Sequence, residues 1–309
     1  MDSRPADAPV TSAAPPRRAR LGALVHSAWP ARAMWVLVAL LAAPALGDAL
    51  ADASRPVRLA AGVGAWSLWF VVLVATLVPT TVSLTALRIA APGAAAAAGV
   101  ALVATGATTA AVLGLAAALA AAVVALAPET AEAFVDGSSY GDERRMPLRA
   151  PVALLAGPAE LAWLAVVAGV CAGPLLLAAR QWVPGALALA AGVPLAWWGG
   201  RVLHVLSRRW LVFVPAGLVV HDQLALVDPV LLRRSVVRSF GPAPAGTGAT
   251  DLTAGAPGLA LEVRLAEPVA LMPVARPGQP AELREADALL VTPARPGRVL
   301  DEARRRRLA

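Results

Sequence analysis

Lysine and asparagine are absent from this sequence of 309 residues, and all 27 basic residues are arginine. Without asparagine there is no acceptor for N-glycosylation. A single cysteine, Cys171, excludes an internal disulfide and any metal site built from several thiolates. In its apolar run it reads as a small core residue. Only three histidines occur, His26, His204 and His221, and no HExxH or paired-cysteine spacing accompanies them. The Gly-x-Ser-x-Gly elbow of hydrolases is missing. So is a phosphate-binding loop: "ATGATT" at 104–109 lacks the lysine, and "GTGATDLTAG" at 246–255 lacks a strand-to-helix setting. No catalytic residue, cofactor or metal ligand is therefore assigned.

Charge is scarce as well. Charged residues make up 15% of the chain and hydrophobic ones 58%, with a mean hydropathy of +0.67; soluble domains carry about a quarter charged residues. The abundance of alanine, arginine, glycine and proline is in keeping with a GC-rich genome. The formal net charge of +7 is no nucleic-acid footprint. The arginines flank apolar blocks and cluster at the tails, where anionic headgroups would meet them, and they lack the interleaved aromatics that stack bases. The lipid bilayer is the expected partner, and nucleic acid is not.

Five apolar blocks stand out, at about 33–50, 59–87, 97–126, 152–179 and 183–206. Each meets the roughly 17–25 residues that a helix needs to cross hydrocarbon. The second contains Pro79, read as a kink, and the second and third are long enough to imply tilt. The expectation is an Arg/Pro-rich disordered tail over 1–31, a five-span helical domain over 32–207 with a polar loop at 128–151, and a β-domain over 208–309. Arginines ahead of the apolar run at 34–46 give the outline of a secretory signal. However, they lie far from the terminus and "ALGDALADA" is an imperfect cleavage site, so an uncleaved first span is expected.

Five crossings put the two termini on opposite faces and the 128–151 loop on the face of the C-terminal domain. Near the membrane, eight arginines would then stand on one face and seven on the other, which does not orient the protein.

After Arg209 the periodicity changes. Short strands are expected at 210–215, 218–222, 224–228 and 230–240. A hairpin is expected between 259–265 and 269–274, then a strand at 288–293 and a closing helix that opens on Pro296. Two segments, "RRWLVFVPAGLVVHD" and "LLVTPARPGRVLDEARRR", resemble the first hairpin and the last strand with capping helix of bacterial pleckstrin-homology-like domains. That resemblance implies a small, mainly antiparallel barrel with a C-terminal helix. It also implies a cytoplasmic location and contact with another membrane or cytosolic protein through 208–309. The spans resemble those of uncharacterised actinobacterial multi-span membrane proteins, which implies no activity.

Two places could carry function. The first is "DGSSYGDERRMPLR" at 136–149, with six charges and the only tyrosine: Tyr140, Asp142, Glu143, Arg144 and Arg145 are its candidates. It is expected to pack beside the C-terminal domain, with Asp222 or Asp228 meeting Arg144 or Arg145; a plain solvated loop is the alternative. The second is Glu160 with Arg201, two charges in apolar spans that either pair or reach water separately. Three functions are weighed: a non-enzymatic membrane protein presenting a β-domain to a protein or membrane surface; a transporter or transport accessory with a polar site near Glu160 and Arg201; and a membrane enzyme acting at 136–149.

Overall fold

Pro79 separates two helices where the sequence suggested only a kink. The computed structural model describes residues 27–275 and 282–308; most of the tail expected to be disordered lies outside them. Helix α1 (Trp29–Ala49) and α2 (Arg55–Leu77) come first, and α2 ends at an extended Val78. Thr80 then opens α3 (Thr81–Thr105) with a reciprocal cap: its Oγ1 accepts from the Ser83 N–H at 3.2 Å, while Ser83 Oγ accepts from the Thr80 N–H at 2.8 Å. Gly106, at φ 74°, stops α3, and Thr108 caps α4 (Thr109–Leu126). Two long apolar blocks therefore yield three helices. With α7 (Pro158–Ala178), extended at its start by the single turn α6 (Val152–Leu155), and α8 (Trp182–Leu206), six segments among the described residues are long and apolar enough to cross a membrane, not five. The chain is a multi-pass membrane protein.

Small residues let these helices approach closely. A Cβ on Gly114 of α4 would stand 2.9 Å from Ala42 Cα of α1. Trp35 and Trp69 each donate their indole N–H to the other's carbonyl, at 3.0 and 2.9 Å, joining α1 to α2. Helices α7 and α8 form a tight antiparallel hairpin along Gly169, Gly173, Gly185, Gly192 and Gly199.

The polar segment between α4 and α6 holds the amphipathic α5 (Pro128–Asp136) and a strand, β1 (Arg144–Pro147). After α8 come β2 (Arg209–Val214), β3 (Gly217–Asp222), β4 (Val230–Arg233), β5 (Val237–Pro242), β6 (Thr250–Asp251), β7 (Leu261–Leu271), β8 (Arg284–Val291) and the closing α9 (Pro296–Arg305). They form two separate four-stranded sheets, in the orders β1-β2-β3-β4 and β5-β7-β8-β6. Among the described residues there is no closed barrel, contrary to expectation. The expected hairpin across "AEP" is instead the continuous strand β7, whose register against β8 slips between Arg264 and Val269. Ala266 donates to the Val236 carbonyl there, and Pro268 has no N–H to give. Residues 224–228 make a turn held by Asp222 and one bridge, Leu226 to Pro273.

Leu211 and Phe213 face the core between the sheets, beside Leu289 and, from α9, Val299. Trp210 and Val212 point the other way and pack on the cluster that holds Ala131 and Phe134 of α5. Strand β2 is thus buried on both faces, which explains why "WLVFV" does not alternate. The start of α1, the Pro79 turn, α5, β1 and α9 line one cavity, so the described start of the chain and its β-domain meet at the same end of the helices. Opposite faces, the five-span expectation, are corrected by the sixth helix.

Candidate functional site

The 136–149 segment becomes part of the β-domain. Strand β1 completes the first sheet, with Arg144 opposite Phe213, Arg145 opposite Val212 and Met146 opposite Leu211. The pairing continues as Leu148 N–H to the Arg209 carbonyl and Arg149 N–H to the Thr292 carbonyl, both 2.9 Å. Met146 and Leu148 enter the domain core. The charged residues around them bond mostly to each other. Arg144 Nη1 donates to Asp136 Oδ2 at 2.6 Å, and the Arg145 backbone N–H donates to Asp136 Oδ1 at 3.0 Å. That side-chain bond to Asp136, with its charge, holds the Arg144 guanidinium above its ordinary pKa, against a smaller downward pull from burial. Arg145 Nη2 reaches Glu143 Oε2 at 3.2 Å. Asp142 contributes its carbonyl to Arg306, and the Tyr140 ring is 87% exposed.

Asp222 does not meet Arg144 or Arg145. It receives Nε and Nη2 of Arg209 at 2.8 and 2.7 Å, with both side chains buried. The two-residue turn at Pro215 and Ala216 puts 209 opposite 222 in the hairpin register, so counting back from that turn could have found the pair. His221 stacks on Trp210, with ring centroids 4.5 Å apart. It lies three residues along the sheet from Arg144's row, roughly 10 Å, so it does not join Asp142 and Glu143.

A second contact had no signal in the sequence. Glu132 of α5 accepts from Arg295 Nη1 at 3.0 Å and from Arg298 Nη2 at 3.0 Å and Nε at 3.2 Å. Glu129 adds Arg295 Nε at 3.6 Å. These arginines are more than 160 residues away in the chain. Glu132, a residue only 8% exposed, clamps the C-terminal helix onto the helical domain. Beside the clamp lies a cavity of about 530 Å³, lined by Arg32, Pro79, Glu132, Asp136, Arg144 and Arg298 among others. Gly137 seals one side: a Cβ there would stand 2.6 Å from Pro79 Cβ.

Glu160 and Arg201 are not brought together. Glu160 Oε2 accepts the Gly157 N–H at 2.9 Å and so caps the start of α7. Arg201 lies 4.9 Å over the Trp197 ring. Comparison with protein-family models, curated proteins and solved structures finds no match to this chain.

Proposed function

We propose that the chain is a non-enzymatic membrane protein that holds a small β-domain in one fixed attitude against the membrane surface and presents it for contacts there. Strand β1 carries this reading. A domain attached by one linker would swing, whereas this one includes a strand from the preceding membrane loop and is clamped again at Glu132. Two mainly antiparallel sheets, with β6 alone pairing in parallel to β8, and a closing helix support the pleckstrin-like reading of the domain.

The outer face of the first sheet points to contacts with the bilayer. Val212, Val219 and Leu231 are register neighbours in a row across the sheet. Val212 is buried on α5, Val219 is half-buried, and Leu231 is 44% exposed at the edge strand. The apolar row thus runs outward from the helices and ends uncovered beside Arg233.

Six crossings support a cytoplasmic side for the β-domain. Among the described residues Arg32, Arg88, Arg144, Arg145, Arg149, Arg201, Arg208 and Arg209 then share the face of the β-domain; Arg55, Arg58 and Arg180 take the other. A ratio of eight to three favours a cytoplasmic domain. Neither the transporter nor the enzyme reading gains an observation of its own.

The test uses the full chain in proteoliposomes. Spin labels at Val78 and Glu285 should give one narrow distance, and a photo-cross-linker at Leu231 should give lipid adducts. A broad distance distribution sinks the fixed attitude. Adducts to protein alone would replace the membrane surface with a protein partner.

A further inference from the structure

Helix α8 has two unlike faces. Gly185, Gly192 and Gly199, seven residues apart, pack against α7. At about 100° per residue, Trp197, Arg201 and His204 fall together on the opposite side, and Arg208 follows two residues after the helix ends at Leu206. His204 Nδ1 bonds Thr85 Oγ1 of α3 at 2.9 Å, and Thr85 spends its own hydroxyl proton on the Thr81 carbonyl at 2.8 Å, so the imidazole is the donor. This bond joins α3 to α8 at the end nearest the β-domain. One turn deeper on each helix stands an arginine, Arg88 on α3 and Arg201 on α8.

The arginines of this face differ from those of the junction. Arg144, Arg145, Arg209, Arg295, Arg298 and Arg306 each have a carboxylate. Among the described residues Arg88, Arg201 and Arg208 have no ion pair. Arg88 turns to α4, where its Nε reaches the Ala125 carbonyl at 3.3 Å, whereas Arg201 meets only the Trp197 ring of its own helix. Trp197 is 65% exposed where acyl chains would lie. Unpaired cations at membrane depth are costly unless an anion or water meets them. Arg201 is five residues from the end of its helix, roughly 8 Å, which is headgroup range for a long side chain.

We propose that Arg201 of α8 and Arg208, two residues beyond the end of that helix, bind the phosphate of an anionic phospholipid. The Thr85–His204 bond fixes α8 against α3 beside these arginines. The acyl chains run along Trp197. The site borders the β-domain, since the Arg208 carbonyl lies 3.2 Å from His221 Nδ1, but phosphate binding there does not depend on how that domain is used.

The test is native mass spectrometry and thermal unfolding of the full chain in detergent, with phosphatidylglycerol, phosphatidylcholine or inorganic phosphate as the probe. Phosphatidylglycerol should be retained preferentially and should raise Tm, while phosphatidylcholine and millimolar phosphate should not. R201Q/R208Q should lose about tenfold in phosphatidylglycerol retention, R201K/R208K should keep most of it, and R55Q/R58Q at the other end should match the parent. Equal retention of the two lipids would overturn the proposal. A rise in Tm with inorganic phosphate alone would overturn the lipid as its source. The comparison of probes on the unaltered chain stands even where a glutamine variant does not fold.

Discussion

The Arg209 guanidinium lies flat against the Asp222 carboxylate inside the β-domain, 2.8 Å from Nε to Oδ1 and 2.7 Å from Nη2 to Oδ2. Its other N–H groups reach the carbonyls of Arg149 and Thr253. One buried cation therefore ties the hairpin of β2 and β3 to the end of the β1 segment and to the loop after β6.

Breaking that pair strands a charge. Arg209→Met should cost about 3–5 kcal/mol, and Asp222→Leu a similar amount, because each leaves an uncompensated ion. The double variant should recover part of the loss. Thermal unfolding of the full chain in one detergent checks this; strictly additive losses would show that the two side chains are not coupled.

Glu132→Gln should loosen the far end of the same junction. Charge-assisted hydrogen bonds of this kind contribute about 1.5–3 kcal/mol. Hydrogen exchange should speed up in α9, at amides such as Val299, while Leu211 in the first sheet stays protected. Unchanged exchange in α9 would mean that Val299 and Ala303, seated in the core, hold the helix without the clamp.

Much of this architecture was legible and some was not, for identifiable reasons. Apolar length showed the membrane helices, but not where they divide: Pro79 can kink or end a helix, and the outcome rested on the reciprocal bonds of Thr80 and Ser83. The β-strands near the Pro-Ala-Gly turn were readable because the turn fixes their register. Strand β1 was not read as a strand, since "RRMP" is short and charged and becomes a strand by pairing with β2. The Glu132 clamp depends on residues near opposite ends of the chain, which no local pattern relates.

Gly192→Ala should damage the α7–α8 hairpin. Its Cβ would lie 2.6 Å from the Gly169 carbonyl oxygen, so the backbones must separate. Overpacking of this kind costs about 1–3 kcal/mol. Gly64→Ala on α2 is the control, with nothing within 4 Å of the added atom; there alanine should be neutral or stabilise by up to about 1 kcal/mol. Equal Tm values for the two variants would contradict the close approach of α7 and α8.

His221 gives the β-domain a pH dependence of defined sign. Burial beside Trp210 pushes its pKa below the ordinary 6.5, and the nearby Arg208 charge pushes the same way; the Arg208 carbonyl, 3.2 Å from Nδ1, and the Asp222 charge oppose them without reversing the shift. The folded imidazole is therefore neutral where the unfolded one begins to take a proton. Its contribution is whole above about 6.5 and is lost as pH falls from there through the folded pKa, because the unfolded state then binds more protons. Thermal unfolding followed from pH 7.5 down to 5.5 should show a steeper fall for the parent chain than for His221→Gln, which cannot titrate. The two chains differ only at position 221, so the difference between the two slopes belongs to His221. Parallel slopes would mean that this imidazole is as free to take a proton in the fold as in the open chain.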